Sequence, residues 1–428
     1  MSISRHREAK QWLKNLPSGW RVVTVKQCAE ITYGFPAESE GFTTDPNYIP
    51  LIRIRDITSG HAQTYYSGTY PKESLIDDGD VLIGMDGDFN LRVWTGGQAL
   101  LNQRCCRVAG NTPEVTKFLS YALPYALTEI HNLTLSTTVK HLLADGIEKA
   151  LLPLPDSTEE LRSIVSVLDA ETFKIDRAVD LLRQQLETLV QLKKSLIYEA
   201  VTKGLDTSVR MKPSGVEWVG DIPEHWGLNR LRYLVTFESG ATPSKDNLNF
   251  WNGDIPWVSS QEVKGDVIEE TTYRISQSAV ASCSTKILPK GTPILVVRSG
   301  ILQHTVPIAL LQRPMAINQD VKALVTKGEI LPSFLMYFVK GHNENLVKLL
   351  VKDKSTVDNV SSEYLKNLMV TVPPPHEQLK IVNALDAKCE FFDKTIRKKR
   401  TQLSLLEQQR KSLIFEYVTG KRRVGEVA

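Results

Sequence analysis

The sequence holds no stretch close to the roughly 18 uninterrupted apolar residues that a membrane-crossing helix needs, and its opening, Met1 to Lys10, is polar without an apolar signal core. These absences exclude a spanning helix and lead us to expect a cytoplasmic protein that does not engage a membrane. Cysteine is scarce: Cys28, Cys105, Cys106, Cys283 and Cys389 are an odd number with no C-x-x-C spacing. Adjacent Cys105 and Cys106 make a poor metal clamp, so free thiols and no structural metal are expected. An excess of one charge is also lacking, because 52 basic side chains face 49 acidic ones and leave a net +3. Any affinity for nucleic acid must therefore come from local clusters such as Arg397 to Arg400 and Lys421 to Arg423, runs that read equally well as solvated helix faces.

Several chemistries are missing too. There is no Asn-Pro-Pro-aromatic or Asp-Pro-Pro-aromatic stretch to hold an amine for methylation, no Gly-rich loop for a methyl donor and no G-x-x-x-x-G-K-[ST] phosphate loop. Histidines are scattered, and none pairs with Ser or Cys in a nucleophile motif. One enzyme-like spacing remains, Asp254 with Glu262 and Lys264, which mimics a metal-dependent nuclease. The equivalent stretch earlier in the chain reads Asp56-Ile57-Thr58, without the triad, and this disfavours a nuclease.

What the chain does have is an internal repeat. Its 428 residues exceed one ordinary core, so two or more domains are expected. Trp12, Pro17, Trp20, Gly34, Ile49 and Pro50 recur as Trp218, Pro223, Trp226, Gly240, Ile255 and Pro256 at one spacing of about 206 residues. The spacing then drifts through Gly79 and Gly291, Asn102-Gln103 and Asn318-Gln319, and Phe118-Leu119 and Phe334-Leu335, as surface loops of different length would cause. Each copy ends with a strong match: Leu168-Asp169-Ala170 returns as Leu385-Asp386-Ala387, and Lys194 to Glu199 as Lys411 to Glu416.

Within each copy, short apolar alternations broken by Gly and Pro read as strands, at Tyr48 to Ile57, Val81 to Gly84, Ile255 to Ser259 and Pro293 to Val297. Helical patterns follow at Val115 to Tyr125 and Ser333 to Lys340, so each copy is a mixed α and β domain of ordinary size. After Pro153 and Pro155, and again after Pro373, Pro374 and Pro375, no Pro or Gly interrupts the chain for some forty residues, and a long helix is expected. In the first, Leu168, Thr172, Ile175, Val179, Leu182, Leu186, Leu189, Lys193, Leu196 and Ala200 alternate steps of four and three. Leu385, Cys389, Phe392, Ile396, Lys399, Leu403, Leu406, Arg410, Leu413 and Tyr417 do the same in the second. Two such seams need burial, and each is the nearest partner for the other. Lys193 and Arg410 share one slot, where a polar side chain either fixes register or stretches past the seam to water.

Trp218-Val219-Gly220-Asp221-Ile222-Pro223-Glu224-His225-Trp226, Ser239-Gly240-Ala241-Thr242-Pro243-Ser244 and Gly253-Asp254-Ile255-Pro256-Trp257-Val258 resemble the opening of a repeat of the type I restriction-modification specificity subunits. Pro373-Pro374-Pro375-His376-Glu377-Gln378 with Ile381-Val382 is similar to that family's proline-rich junction and helix start. The resemblance spans nearly the whole chain in duplicate, although the first copy has Gly34-Phe35-Pro36 in place of the Gly-x-Thr-Pro-Ser loop and Leu161 where the second has Gln378. It implies an α+β fold of two tandem mixed α/β target recognition domains, each followed by a long helix, with the helices packed as an antiparallel coiled coil. The expected boundaries are 1–155 and 218–375 for the domains, 156–204 and 376–423 for the helices and 205–217 for a linker.

The resemblance further implies a non-catalytic subunit that reads a bipartite double-stranded DNA target, one domain per half-site, with the coiled coil setting the spacer. Two modification subunits and two restriction subunits would be its partners, and S-adenosylmethionine, Mg and ATP would sit on them, with no cofactor on this chain. Base edges are read by Arg, Lys, Asn, Gln, Ser and Thr, and phosphates are held by Arg and Lys. The candidate DNA contacts on inferred loops are therefore Arg53, Arg55, Arg92, Gln103, Arg104 and Lys140 in the first domain, and Ser259, Ser260, Gln261, Lys264, Arg298, Gln303 and Lys354 in the second. Trp20, Trp226 and Trp257 read as core anchors rather than base-stacking platforms.

Overall fold

Two helices of the computed structural model run without a break over Thr158–Lys203 and Pro375–Val418. The structure describes residues 11–133, 144–352 and 358–425. At a rise of about 1.5 Å per residue, the 46 residues of the first helix make a rod of about 69 Å. Glu159 and Glu160 lie in its first turn, where they complement the helix dipole, and Gly204 at φ +80° ends it in the left-handed conformation that only glycine adopts cheaply. The second helix starts on Pro375, whose missing N–H costs nothing at a first helical position.

The chain forms two compact units, Met1–Leu182 with Gln402–Ala428, and Arg183–Thr401. In the first, Ala29–Tyr33, Cys105–Gly110, Val81–Gly84 and Leu91–Val93 form a sheet in that order. A second sheet joins Phe42–Thr43, Tyr65–Tyr66, Ile49–Ile52, Ala99–Leu101 and Leu75–Ile76, with one parallel pairing, Ile49–Ile52 on Ala99–Leu101. Phe118, Leu119 and Leu123 of the helix Pro113–Leu133 share one core with Leu161, Ile164 and Leu168 from the start of the first long helix, and with Ile414, Tyr417 and Val418 from the end of the second. Gly420 follows so closely that a Cβ there would lie 2.5 Å from the Pro17 ring. Burying an aliphatic side chain of this kind contributes roughly 1.5–3 kcal/mol, so the helix ends are an integral part of this core.

The second unit repeats the plan. Val235–Ser239, Val321–Thr326, Pro293–Val296, Ile308–Leu311 and Val267–Ile268 form its larger sheet, and Tyr273–Ile275, Ile255–Val258 and Ala316–Ile317 its smaller one, again with one parallel pairing in the latter. Phe334, Leu335 and Phe338 of the helix Pro332–Gly341 pack with Ile381 and Leu385 and with Ile197, Ala200 and Val201. The segment 205–217 carries a short strand, Met211–Pro213, paired antiparallel with Asp221–Pro223. The strand expected over Tyr48 to Ile57 stops at Ile52, because the Asp56 carboxylate accepts from Arg53 N–H at 2.9 Å and starts the short helix Ile54–Ser59.

In each unit the long helices lie side by side and antiparallel. Lys193 Nζ contacts Asp393 Oδ1 at 2.6 Å and Lys399 Nζ contacts Gln185 Oε1 at 2.6 Å, so stepping back along one helix moves forward along the other. In the first unit Arg410 clasps Asp176 with two bonds of 2.7 and 3.0 Å. Arg410 is the repeat counterpart of Lys193, and Asp176 that of Asp393, so one seam ion pair occurs in both units, and the polar slot read from the heptads is paired across the seam rather than extended into water. Leu168, Leu385, Cys389 and Ile396 are buried on the stripe, while Leu192 and Leu405 just off it are exposed.

Equivalent anchors tie each domain to its own helix. Trp20 Nε1 donates to Glu160 Oε1 at 3.0 Å, and Trp226 Nε1 to Glu377 Oε2 at 2.9 Å. Burial alone would raise the Glu377 carboxyl, but hydrogen bonds from Trp226 and His225 outweigh it and hold the group below its ordinary value. The wholly buried Gln378 accepts from Leu331 N–H and donates to the carbonyls of Glu329 and Pro373, whereas Leu161 at the same place simply joins the core. All five cysteines are free thiols, and burial pushes Cys106 up to about 12.

His342 packs its ring against Tyr198, Trp218 and Phe338, with Nε2 3.2 Å from Thr202 Oγ1 and Nδ1 without a hydrogen-bond partner among the described residues. Burial lowers its pKa to about 4. Below its unfolded value near 6.5 the unfolded chain binds a proton that the folded one refuses, so the stability this residue contributes is whole above pH 6.5 and declines toward pH 4. The second unit should lose on the order of 3 kcal/mol over that window. The His342→Phe variant should flatten the pH dependence of its urea midpoint between pH 6.5 and 4, and an unchanged slope would contradict this account.

Candidate nucleic-acid interface

The same loop cluster is built in each unit by backbone hydrogen bonds. In the first, Gly34 N–H donates to Cys105 O at 2.9 Å, Phe35 N–H to Leu101 O at 3.0 Å, Asn102 N–H to Ile52 O at 3.0 Å and Met85 N–H to Arg104 O at 2.9 Å. The segments that begin at Gly34, Arg53, Met85 and Asn102 are thereby held together where the two sheets end. In the second, Asn318 N–H donates to Val258 O at 2.9 Å and Val297 N–H to Asp320 O at 2.8 Å, which gathers the segments beginning at Ser259, Val297 and Asn318. Gly240 completes this cluster, because a Cβ there would lie 1.7 Å from Ile317 O; at Gly34 a Cβ would lie 2.6 Å from the corresponding Leu101 O and 2.1 Å from Asn102 O.

The candidate contacts divide accordingly. Arg53 is half-buried at the start of the short helix, with its guanidinium 5.8 Å over the Phe42 ring. Gln103 and Arg104 are exposed on the neighbouring loop, and Arg104 Nε lies 3.7 Å from Asp86 Oδ2. Arg55 is exposed and donates to Thr64 Oγ1 at 2.7 Å. Arg92 is committed elsewhere: it donates to the carbonyls of Ile57 and, at 2.8 Å, of Thr58, closing the last turn of the helix Ile54–Ser59. In the second unit Ser259 and Ser260 are half-buried and Gln261 exposed on a single turn, and Arg298 is exposed beside Asp320, to whose carbonyl its backbone N–H donates at 3.3 Å. Gln303 is exposed at the end of the turn Gly300–Gln303. Lys264 instead lines a groove with Lys193, Lys340 and Arg400. Lys140 and Lys354 lie outside the described residues.

Gln319 was missed as a candidate. It is exposed in the second cluster and accepts from the Thr242 hydroxyl at 2.6 Å. The repeat that sets Asn102-Gln103 against Asn318-Gln319 was the signal for it. Of the tryptophans, Trp226 and Trp257 are buried and Trp20 half-buried, and Trp257 Nε1 donates to Ala241 O at 3.0 Å, so the three anchor the fold around the loops. Glu262, from the nuclease-like spacing, spends Oε1 on Thr272 N–H at 3.0 Å. Among the described residues no three His, Cys, Asp or Glu side chains group as a metal site, and no helix is long and apolar enough to cross a membrane. Since a Cβ at Gly240 meets backbone rather than a flexible side chain, Gly240→Ala should displace the loop and cost about 2 kcal/mol or more. Faster proteolysis within 240–246 would register this, and unchanged protection would argue against the packing described.

Comparison with known proteins adds to this geometry. The model of the family described as type I restriction modification DNA specificity domain matches residues 17–191 and again 223–408. The chain is 26% identical over 426 residues to the specificity subunit of the type I restriction enzyme EcoBI from Escherichia coli, covering 96% of this chain and 87% of that one. It is 30% identical over 243 residues to the specificity subunit of EcoR124I/EcoR124II from the same organism, 56% of this chain and 55% of that one. A solved structure titled as the structural basis underlying complex assembly and conformational transition of the type I R-M system shares the fold, with a TM-score of 0.70 at 18% identity over 95% of this chain and 100% of that one. With the family domain matched in two copies over most of its length, each built around the same loop cluster, the chain belongs to the type I restriction modification DNA specificity family.

Proposed function

We propose that this chain is the non-catalytic address-giving subunit of a type I restriction-modification enzyme, and that it reads a two-part double-stranded DNA target. Each domain takes one half-site through its loop cluster, and the paired helices set the gap between the halves. Two modification subunits and two restriction subunits would assemble on it in the cytoplasm, supplying adenine methylation with S-adenosylmethionine and ATP-dependent cleavage with Mg. The observation that carries this reading is the duplicated loop cluster: the scaffold around Gly34 and Gly240 is the same, while the polar side chains it presents differ. Similar backbones with unlike donors and acceptors suit two readers of unlike sequences. Continuous helices of 46 and 44 residues suit a spacer of fixed length.

The test is to map methylated adenines across the genome of cells with and without this chain, in the presence of its modification subunits. A two-part motif present only with the chain is expected. Inserting seven residues in each long helix keeps the seam in phase and adds about 10 Å, so the motif's gap should grow by about three base pairs with both halves intact. A motif independent of the chain, or a gap indifferent to helix length, would defeat the proposal. Binding to duplex DNA should also weaken steeply with salt, whereas an adaptor without a DNA role would show no such dependence.

A further inference from the structure

The two loop clusters carry the same pair of opposite charges with their places exchanged. Strand Val81–Gly84 pairs with Cys105–Gly110, and Pro293–Val296 with Val321–Thr326, in matching register, Gly84 opposite Cys105 and Val296 opposite Val321. The backbone bonds Met85 to Arg104 and Val297 to Asp320 are therefore equivalent, and so are the positions of Asp86 and Arg298 one residue further on. In the first domain the acid, Asp86, follows the first of the two strands and the base, Arg104, precedes the second. In the second domain the base, Arg298, follows the first strand and the acid, Asp320, precedes the second.

The acids are held inward. Asp320 is half-buried, receives Asn318 Nδ2 at 3.2 Å and donates its own N–H to Asn318 Oδ1 at 3.0 Å, while Asp86 lies 3.7 Å from Arg104. The bases face out: Arg104 and Arg298 are exposed, and Arg298 forms no ion pair among the described residues. A duplex repels an acid on its contact surface and attracts a guanidinium, whose fork fits the paired acceptors of guanine. The exposed base thus marks which of two adjacent strand ends comes nearest the DNA.

We infer that Arg104 and Arg298 are the specificity-determining cations of their respective domains, so that the first domain reads through the loop at 102–104 and the second through the loop beginning at Val297. This rests on the DNA-reading function proposed above. The experiment uses the full chain assembled with its modification subunits, as wild type and as Arg104→Ala, Arg298→Ala, Arg104→Lys, Arg298→Lys and Asp86→Ala, each checked for an unaltered melting curve. Methylation motifs are then mapped.

Arg104→Ala should relax discrimination about 10- to 100-fold at one base pair in one half of the motif, and Arg298→Ala likewise in the other half only. Lys should not restore either, and Asp86→Ala should keep the motif. An unchanged motif in both Ala variants, a change in the same half for both, uniform weakening without loss of selectivity, or rescue by Lys would each overturn the assignment. Failure of the wild type to give any two-part motif would instead defeat the function on which the inference rests.

Discussion

The antiparallel pairing of two long helices is the constraint on which the molecule depends, and its register is written in one repeated contact. Arg410 with Asp176, and Lys193 with Asp393, are the same pair met once in each unit. Both are partly open to water, with side chains up to about half exposed, so their worth lies well below that of a buried ion pair and their contribution to stability is small. Their role is alignment: the apolar stripe supplies adhesion, and the two pairs mark the register in which Arg410 meets Asp176 and Lys193 meets Asp393. Every domain contact with a helix end presupposes that alignment.

Each domain is fastened to the helix pair by two kinds of contact. Its indole hydrogen bond, from Trp20 or Trp226, holds the start of the helix that follows it, and its apolar core takes in the end of the other helix. With both ends fixed, the loop clusters are free to differ in side chains while sharing backbone. Gly34 and Gly240 make this possible by admitting the crossing chain at a distance no Cβ would tolerate. The scaffold is therefore strict where it touches itself and permissive at Arg53 and Ser259, or Arg104 and Asp320.

Much of this was legible in the sequence, and the reasons for the rest are physical. The seam was readable because a heptad stripe needs only local spacing, and the duplication because Trp20, Gly34 and Asn102 kept theirs. What stayed hidden were partners distant in sequence. Nothing near Arg92 in the sequence announces that its guanidinium caps Ile57 and Thr58. Asp176 and Asp393 could not be assigned to Arg410 and Lys193 before the register was known. The strand overrun past Ile52 came from apolar alternation that continued through residues whose backbone the Asp56 carboxylate had already claimed. Gly34 was matched to Gly240 correctly, yet its cause, an approaching carbonyl, is a tertiary fact.

The core shared by Leu161, Ile164 and Leu168 with Ile414, Tyr417 and Val418 has a consequence for biosynthesis. The Arg183–Thr401 unit is one uninterrupted stretch of chain, whereas the other is assembled from two stretches that flank it. On a ribosome working from the N-terminus, the domain made first cannot close its interior until the residues around Val418 emerge, while the domain made later already has all its parts. The order of completion is thus the reverse of the order of translation, and a nascent chain halted before the second helix ends would carry an unfinished first domain beside a finished second one.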